Sequence, residues 1–345
     1  MKRTTQILLA TLMAILSLTF PTWSAQTNPP VMQSLRQKPS DLLAGEFWAI
    51  CYSGFRAGQH PDRGDGAKNP TDEQILEDLR ILSTAAGFKL IRLYDAQTNS
   101  AAVLRLIEKH QLDIKVLLGA WLDAEISNTN CPWQREPYPT SVLAANRIKN
   151  EQEVQRAIAL AQAHPRSVVA VAVGNETLVD WNDHMVPIES VIRYVRQVKR
   201  EIRQPVTVAD NYLWWAQHGA VLARELDFVS IHTYPVWEGK DINEAMPFTI
   251  ANLEAVRKAL PDSRLVITEA GWATVSSEFG ARASEAKQKR YYQDLNKWAK
   301  ANNVTTFFFE AFDEDWKGNP KDPHGAEKHW GIYDIRRNPK LVMAP

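Results

Sequence analysis

The feature that most constrains this chain is the order of its apolar runs. FWAICYSGF (47–55), KLIRLYDA (89–96), DIKVLLGAWL (113–122) and VVAVAVGNE (168–176) are four of them. PVTVADNY (205–212), FVSIHTYP (228–235), RLVITEAGW (264–272) and TTFFFEAFDE (305–314) follow. Their β-branched and aromatic content, with little polar alternation, is the pattern of strands buried on both faces. Between them lie stretches with helical spacing. The first opens at Thr71-Asp72-Glu73, an N-cap residue with acids in the first turn, and continues through Ile75, Leu79 and Leu82. Others run near 100–110, 144–164, 187–203, 242–260 and 284–301, with a short one near 215–224. Alternating strands and helices imply a parallel sheet. Eight buried strands predict α/β architecture as a single-domain (β/α)8 TIM barrel over 47–345. An open nucleotide-binding sheet is disfavoured, because no G-x-G-x-x-G or P-loop follows any run.

Residues 1–25 read as a targeting segment and 26–46 as an N-terminal extension. Lys2 and Arg3 precede an apolar stretch from Ile7 to Leu18, and small residues follow at Thr22, Ser24 and Ala25. That is the layout of a secretory signal, so the mature chain is expected in the periplasm or secreted. No later run is apolar enough to span a membrane. The 40 basic and 40 acidic residues cancel. A nucleic-acid partner is therefore not expected, and neutrality fits an uncharged substrate. We expect a monomer. Cys51 and Cys131 match no zinc or redox spacing. A disulfide between them, or one buried thiol and one loop thiol, both remain open.

Barrel enzymes place their chemistry at the C-terminal ends of the strands. Two apolar runs here finish in a carboxylate, Glu176 on the fourth and Glu269 on the seventh. Around them the strand ends carry Arg92, Tyr94, Trp121, Asp210, Asn211, Trp214, Trp215, His232, Tyr234, Trp237, Glu310, Glu314, Lys317 and Glu327. Of the 12 tryptophans, nine follow strand C-terminal ends. Core packing alone would not select one end of a barrel. Indole faces suit the C–H faces of sugar rings, and two carboxylates flanking an anomeric carbon are what glycosidic cleavage requires. Trp214, Trp215 and Trp237 are expected to line one continuous stretch of substrate groove. His232 reads as a hydrogen-bonded site residue rather than a metal ligand. No H-E-x-x-H helix, G-x-S-x-G elbow or EF-hand spacing is present, so neither a metal nor a cofactor is expected. The loop HPDRGDGAKNP (60–70) reads as a turn-rich segment at the mouth of the site.

AVGNE ending at Glu176, TEAGW (268–272), HTYP (232–235) and FFFEAFDEDWK followed by EKHWGIYD together resemble glycoside hydrolase family 17, particularly its bacterial members. The resemblance runs from about Phe47 to Tyr333. It implies a retaining β-1,3-glucan hydrolase, or a β-1,3-glucanosyltransferase if a sugar hydroxyl replaces water. Glu176 would be the acid/base and Glu269 the nucleophile. Asn175 would bind the sugar 2-hydroxyl, Tyr234 would hydrogen-bond the nucleophile and Arg92 would keep it ionised. Tyr52 would line the substrate site, where Trp272 is already expected as one of the strand-end tryptophans, and Glu314, Lys317 and Glu327 would form a supporting charged cluster. Many plant members carry Pro-Ser after the Gly-Trp pair; here Ala273-Thr274 stands there. A binding protein that retains the barrel without cleaving glucan is the alternative of a different class.

Overall fold

The computed structural model describes residues 35–344 except residue 63. The leader read at 1–25 and the first part of the 26–46 extension lie outside the described residues. Eight strands form the expected barrel: β1 Trp48–Cys51, β2 Leu90–Arg92, β3 Lys115–Ala120, β4 Val168–Asn175, β5 Val206–Asn211, β6 Val229–His232, β7 Leu265–Gly271 and β8 Thr306–Phe309. Neighbours in sequence are neighbours in space, every pairing is parallel, and β8 closes on β1. The strands stop short of the apolar runs, most clearly at β8. The first residue past several strands still donates to the neighbouring strand, as Tyr52 N does to Arg92 O and Thr233 N to Glu269 O, and the chain beyond turns over the barrel mouth, which is how polar groups reach the rim.

The helices are α1 Asp72–Arg80, α2 Thr98–Lys109, α3 Thr140–Ala163, α4 Ile188–Glu201, α5 Tyr212–His218, α6 Ala220–Ala223, α7 Ile242–Ala259 and α8 Glu285–Asn302. Thr71 caps α1 as its sequence predicts: its hydroxyl accepts from Gln74 N, and Gln74 Oε1 accepts from Thr71 N. The strand-five connection is split between α5 and α6. After β8 the chain returns over the barrel without a long helix. Two buried ion pairs pin that return: Arg337 to Asp78 at 2.7 Å and Lys340 to Asp313 at 2.7 Å. At the opposite end, Gln37 bonds the backbone of Leu265 and Asn303, so the described part of the extension packs onto the barrel.

Both cysteines are buried and unpaired. Cys51 ends β1 and its thiol donates to Thr268 O at 3.3 Å; burial pushes its pKa up to about 12. Of the two open readings, the structure has the one without a disulfide. Among the described residues no helix is long and apolar enough to cross a membrane.

Candidate active site

Strand β4 ends in an unusual turn. Gly174 has φ +90° and Glu176, which is not glycine, has φ +50°. A left-handed non-glycine residue persists only where its surroundings over-determine it. Glu176 N donates to Ala209 O at 2.8 Å, and Leu178 N donates to the buried Asp210 carboxylate at 3.0 Å. The turn lifts the Glu176 side chain over the barrel mouth, where its Oε1 accepts from His232 Nδ1 at 2.9 Å.

Strand alternation on β7 points Glu269 inward and Trp272 outward. Glu269 is buried and clamped from two sides. Arg92 Nη1 donates to Oε1 at 2.7 Å, and the Tyr234 hydroxyl donates to Oε2 at 2.6 Å. Burial alone would raise its pKa. The His232 ring, the Arg92 guanidinium and the Tyr234 hydroxyl outweigh that and hold the carboxyl below the ordinary range.

Arg92 organises the floor. Besides Glu269 it donates to Thr268 O, to His232 Nε2 at 3.2 Å and to Asn175 Oδ1 at 2.6 Å. The last bond orients the Asn175 amide, so its NH2 group remains to donate elsewhere. Because His232 Nε2 faces a donor, the ring proton belongs on Nδ1, from which it donates to Glu176. His232 thus sits behind the two carboxylates, fully buried, and links them rather than facing a ligand. One oxygen of Glu176, one of Glu269 and a His232 nitrogen all lie within 4.8 Å of one another. Three such groups could in principle hold a cation. The Arg92 guanidinium already neutralises Glu269, and a divalent ion there would meet that fixed charge.

The tyrosines divide. The Tyr94 ring stacks 4.5 Å from the Arg92 guanidinium, and its buried hydroxyl lies beside Cys51 and Glu269. Tyr52 is not in the site. Its hydroxyl bonds Asp78 at 3.3 Å, beneath the Asp78–Arg337 pair. Next to the two central acids lies the charged cluster. Lys317 pairs with Glu310 and, at 2.8 Å, with Glu314. Glu314 is buried and also accepts from Ser53 Oγ and Phe55 N, which makes it a brace for the β1 loop rather than a ligand contact. Burial raises Glu327 to about 7; Lys317 opposes this, and the charges of Glu176 and Glu269 add to it.

This shift has a testable sign. Folded Glu327 keeps its proton from about pH 4.5 to about 7, where the unfolded chain loses it. Its contribution to stability is therefore present at low pH and lost as pH rises through 7, by at most about 3 kcal/mol. Glu327→Gln should flatten the melting temperature against pH across that window, as read by calorimetry. A profile parallel to that of the parent would contradict it.

The strand-end tryptophans also divide, and here the sequence expectation is corrected. Asn211 caps α5 by accepting from Leu213 N, so it is a structural cap. The helix therefore begins immediately after β5. Helical spacing then turns Tyr212 and Trp215 inward together. Trp215 is fully buried, with its Nε1 bonded to Ser230 O. Trp214 packs edge-on against it at 5.1 Å. No continuous groove of Trp214, Trp215 and Trp237 exists. Trp272 is likewise core: it donates to Arg282 O and packs on Tyr291. Trp330, also buried, lies under Tyr234 at 5.2 Å and forms part of the floor. The exposed rings are Trp133 (64 %) and Trp237 (44 %). The 60–70 loop closes on itself through paired backbone bonds between His60 and Lys68 and follows β1 on the same end of the barrel.

Residues 49–331 match the BtgE/BtgC glycoside hydrolase domain. The chain belongs to that family. Among relatives of similar sequence, a glucan 1,3-beta-glucosidase of Arthroderma benhamiae is 27% identical over 303 residues, 84% of this chain and 89% of that protein. A probable glucan endo-1,3-beta-glucosidase of Aspergillus clavatus is 26% identical over 79% of this chain, which spans only 39% of that longer protein. An endo-laminarinase from Formosa Hel1_33_131 shares the barrel fold with a TM-score of 0.72, at 24% identity, over 86% of this chain and 85% of that one. A beta-1,3-glucanosyltransferase from Rhizomucor miehei has a TM-score of 0.65, at 22% identity, over 86% and 97%.

Proposed function

We propose that this glycoside hydrolase cleaves β-1,3-glucan by double displacement, with Glu269 as nucleophile and Glu176 as acid/base. The observation that carries this is the pair itself. One oxygen of Glu176 lies within 4.8 Å of one oxygen of Glu269, which favours the roughly 5–5.5 Å carboxyl separation of retaining enzymes over the roughly 6.5–9.5 Å that leaves room for an inverting water. Glu269 is held ionised by Arg92 and Tyr234 and can attack the anomeric carbon. Glu176 gives its proton to the departing glycosidic oxygen. Having given up that proton, Glu176 is the base that takes one from the incoming hydroxyl in the second step. Water as acceptor gives hydrolysis; a sugar hydroxyl gives a longer glucan. The Asn175 NH2, oriented by Arg92, is available for the 2-hydroxyl of the reacting sugar.

The names of the relatives support a β-1,3-glucan substrate, whether cleaved by water or transferred. A non-catalytic binder would not need one carboxylate clamped as an anion beside a second. We place the chain among the bacterial members of family 17 on the combination of its AVGNE, TEAGW, HTYP and EKHWGIYD motifs. The leader-like segment 1–25 supports export to the periplasm or medium, and we take the enzyme to be a monomer. Incubation of pure protein with laminarin oligosaccharides tests the activity: shorter products mean hydrolysis, added longer ones mean transfer, and unchanged substrate contradicts the proposal.

The two kinds of tryptophan should respond differently to truncation. Trp237→Ala removes an exposed ring and should raise KM for long glucans more than for short ones, with kcat spared. Trp215→Ala opens the core and should cost about 3–5 kcal/mol of stability. Kinetics against chain length, with denaturant melts, check both. Equal kcat losses in Trp237→Ala on all lengths would contradict a role for this exposed ring in holding long chains.

A further inference from the structure

The loop after β4 holds a histidine that the chemistry above does not use. His184 lies eight positions beyond Glu176. Its Nε2 is 2.9 Å from Asn175 O and its Nδ1 is 3.1 Å from Asp183 Oδ1. Both partners are acceptors, so making both bonds at once needs a proton on each ring nitrogen. The ring lies 4.5 Å from Trp121 at 32° to it, and Asp183 also accepts from Trp133 Nε1 at 3.0 Å. The imidazole hydrogen bond comes first among the influences that hold the Asp183 carboxyl below the ordinary range.

The carbonyl that His184 binds belongs to the peptide joining Asn175 to Glu176. The N–H of that same peptide donates to Ala209 O at 2.8 Å. Both polar ends of one peptide plane are therefore tied. Rotation of this plane is the simplest way for Glu176 to leave its left-handed φ of +50° for an ordinary conformation. On one side the strand ladder resists that rotation, and on the other a side chain does. We propose that His184, oriented by Asp183, is a positioning residue that locks the Asn175–Glu176 peptide and so aims the Glu176 carboxyl at the glycosidic oxygen. This rests on Glu176 being the acid/base.

A positioning role for the acid has a signature that general loss of packing lacks. Protonation matters for a sugar leaving group and hardly at all for one that departs as a stable anion. The test compares kcat/KM on laminaritetraose with that on 2,4-dinitrophenyl β-laminaribioside. Glu176→Ala sets the reference: a loss of about 10²–10⁴-fold on the first and little on the second. His184→Phe keeps a ring against Trp121 but cannot donate. It should lose about 10²-fold on laminaritetraose, the scale of a misplaced catalytic group, and less than about threefold on the aryl donor. His184→Gln can still reach Asn175 O through its amide and should recover part of the loss; it also serves if the Phe variant fails to fold. Equal losses on both substrates, or no loss, in the His184 variants overturn the proposal while leaving Glu176 in place. If Glu176→Ala itself shows no difference between the substrates, the acid/base reading has failed and the positioning role falls with it.

Discussion

Glu269→Gln is expected to abolish turnover of laminarin oligosaccharides, with a fall in kcat on the order of 10⁴-fold or more. The amide is nearly the same size and can still meet Arg92 and Tyr234, so the fold should hold. What is lost is the anion that Arg92 at 2.7 Å and Tyr234 at 2.6 Å keep ionised. Glu269→Gly should regain turnover of an activated donor when a small anion such as azide is supplied, with the product of inverted configuration. Substantial activity of the Gln variant on oligosaccharides would remove Glu269 from the chemistry.

Arg92→Met should be the most damaging change away from the carboxylates. It strands Glu269 as a buried charge, and breaking such a pair costs about 3–5 kcal/mol. It also frees the Asn175 amide and removes the donor that faces His232 Nε2. Activity should fall by at least about 10²-fold, because two groups at the reacting sugar lose their orientation together. The stability part has its own check. In the double variant Arg92→Met with Glu269→Gln the stranded charge is gone, so the stability loss should be smaller than in Arg92→Met alone. Equilibrium unfolding of the four proteins measures this. An additive cycle would mean that the pair contributes nothing by pairing.

The barrel was legible because strands buried on both faces become continuous apolar runs, and eight such runs are hard to arrange otherwise. Glu176 and Glu269 were legible for a related reason: a carboxylate ending an apolar run has to emerge where the strand does. Ring direction was not legible. Trp215 follows a strand end just as Trp237 does, but α5 starts at Tyr212 and its helical turn carries Trp215 into the core. Trp272 continues β7 one position past the inward-facing Gly271, and so points toward α8. Tyr52 failed for a longer-range reason. Its hydroxyl partner Asp78 is itself fixed by Arg337, 259 positions away along the chain. His184 left no trace in periodicity, since its value lies in a carbonyl it binds across a loop. His232 was legible as a site residue, yet not as the link between the acids, because that depends on Arg92 arriving from another strand.

The most direct measurement is covalent. A retaining enzyme passes through a glycosyl ester on its nucleophile, and a 2-deoxy-2-fluoro laminaribiosyl fluoride slows the second step enough for that ester to accumulate. Intact-mass and peptide-mass analysis of the inactivated protein should show one added 2-deoxy-2-fluoro-laminaribiosyl group, the anomeric fluoride having left, on the peptide that contains Glu269, and none in Glu269→Gln. A label on Glu176, or turnover of a natural β-linked substrate that releases the α-anomer first with no label anywhere, would contradict the double displacement and the roles assigned to both carboxylates.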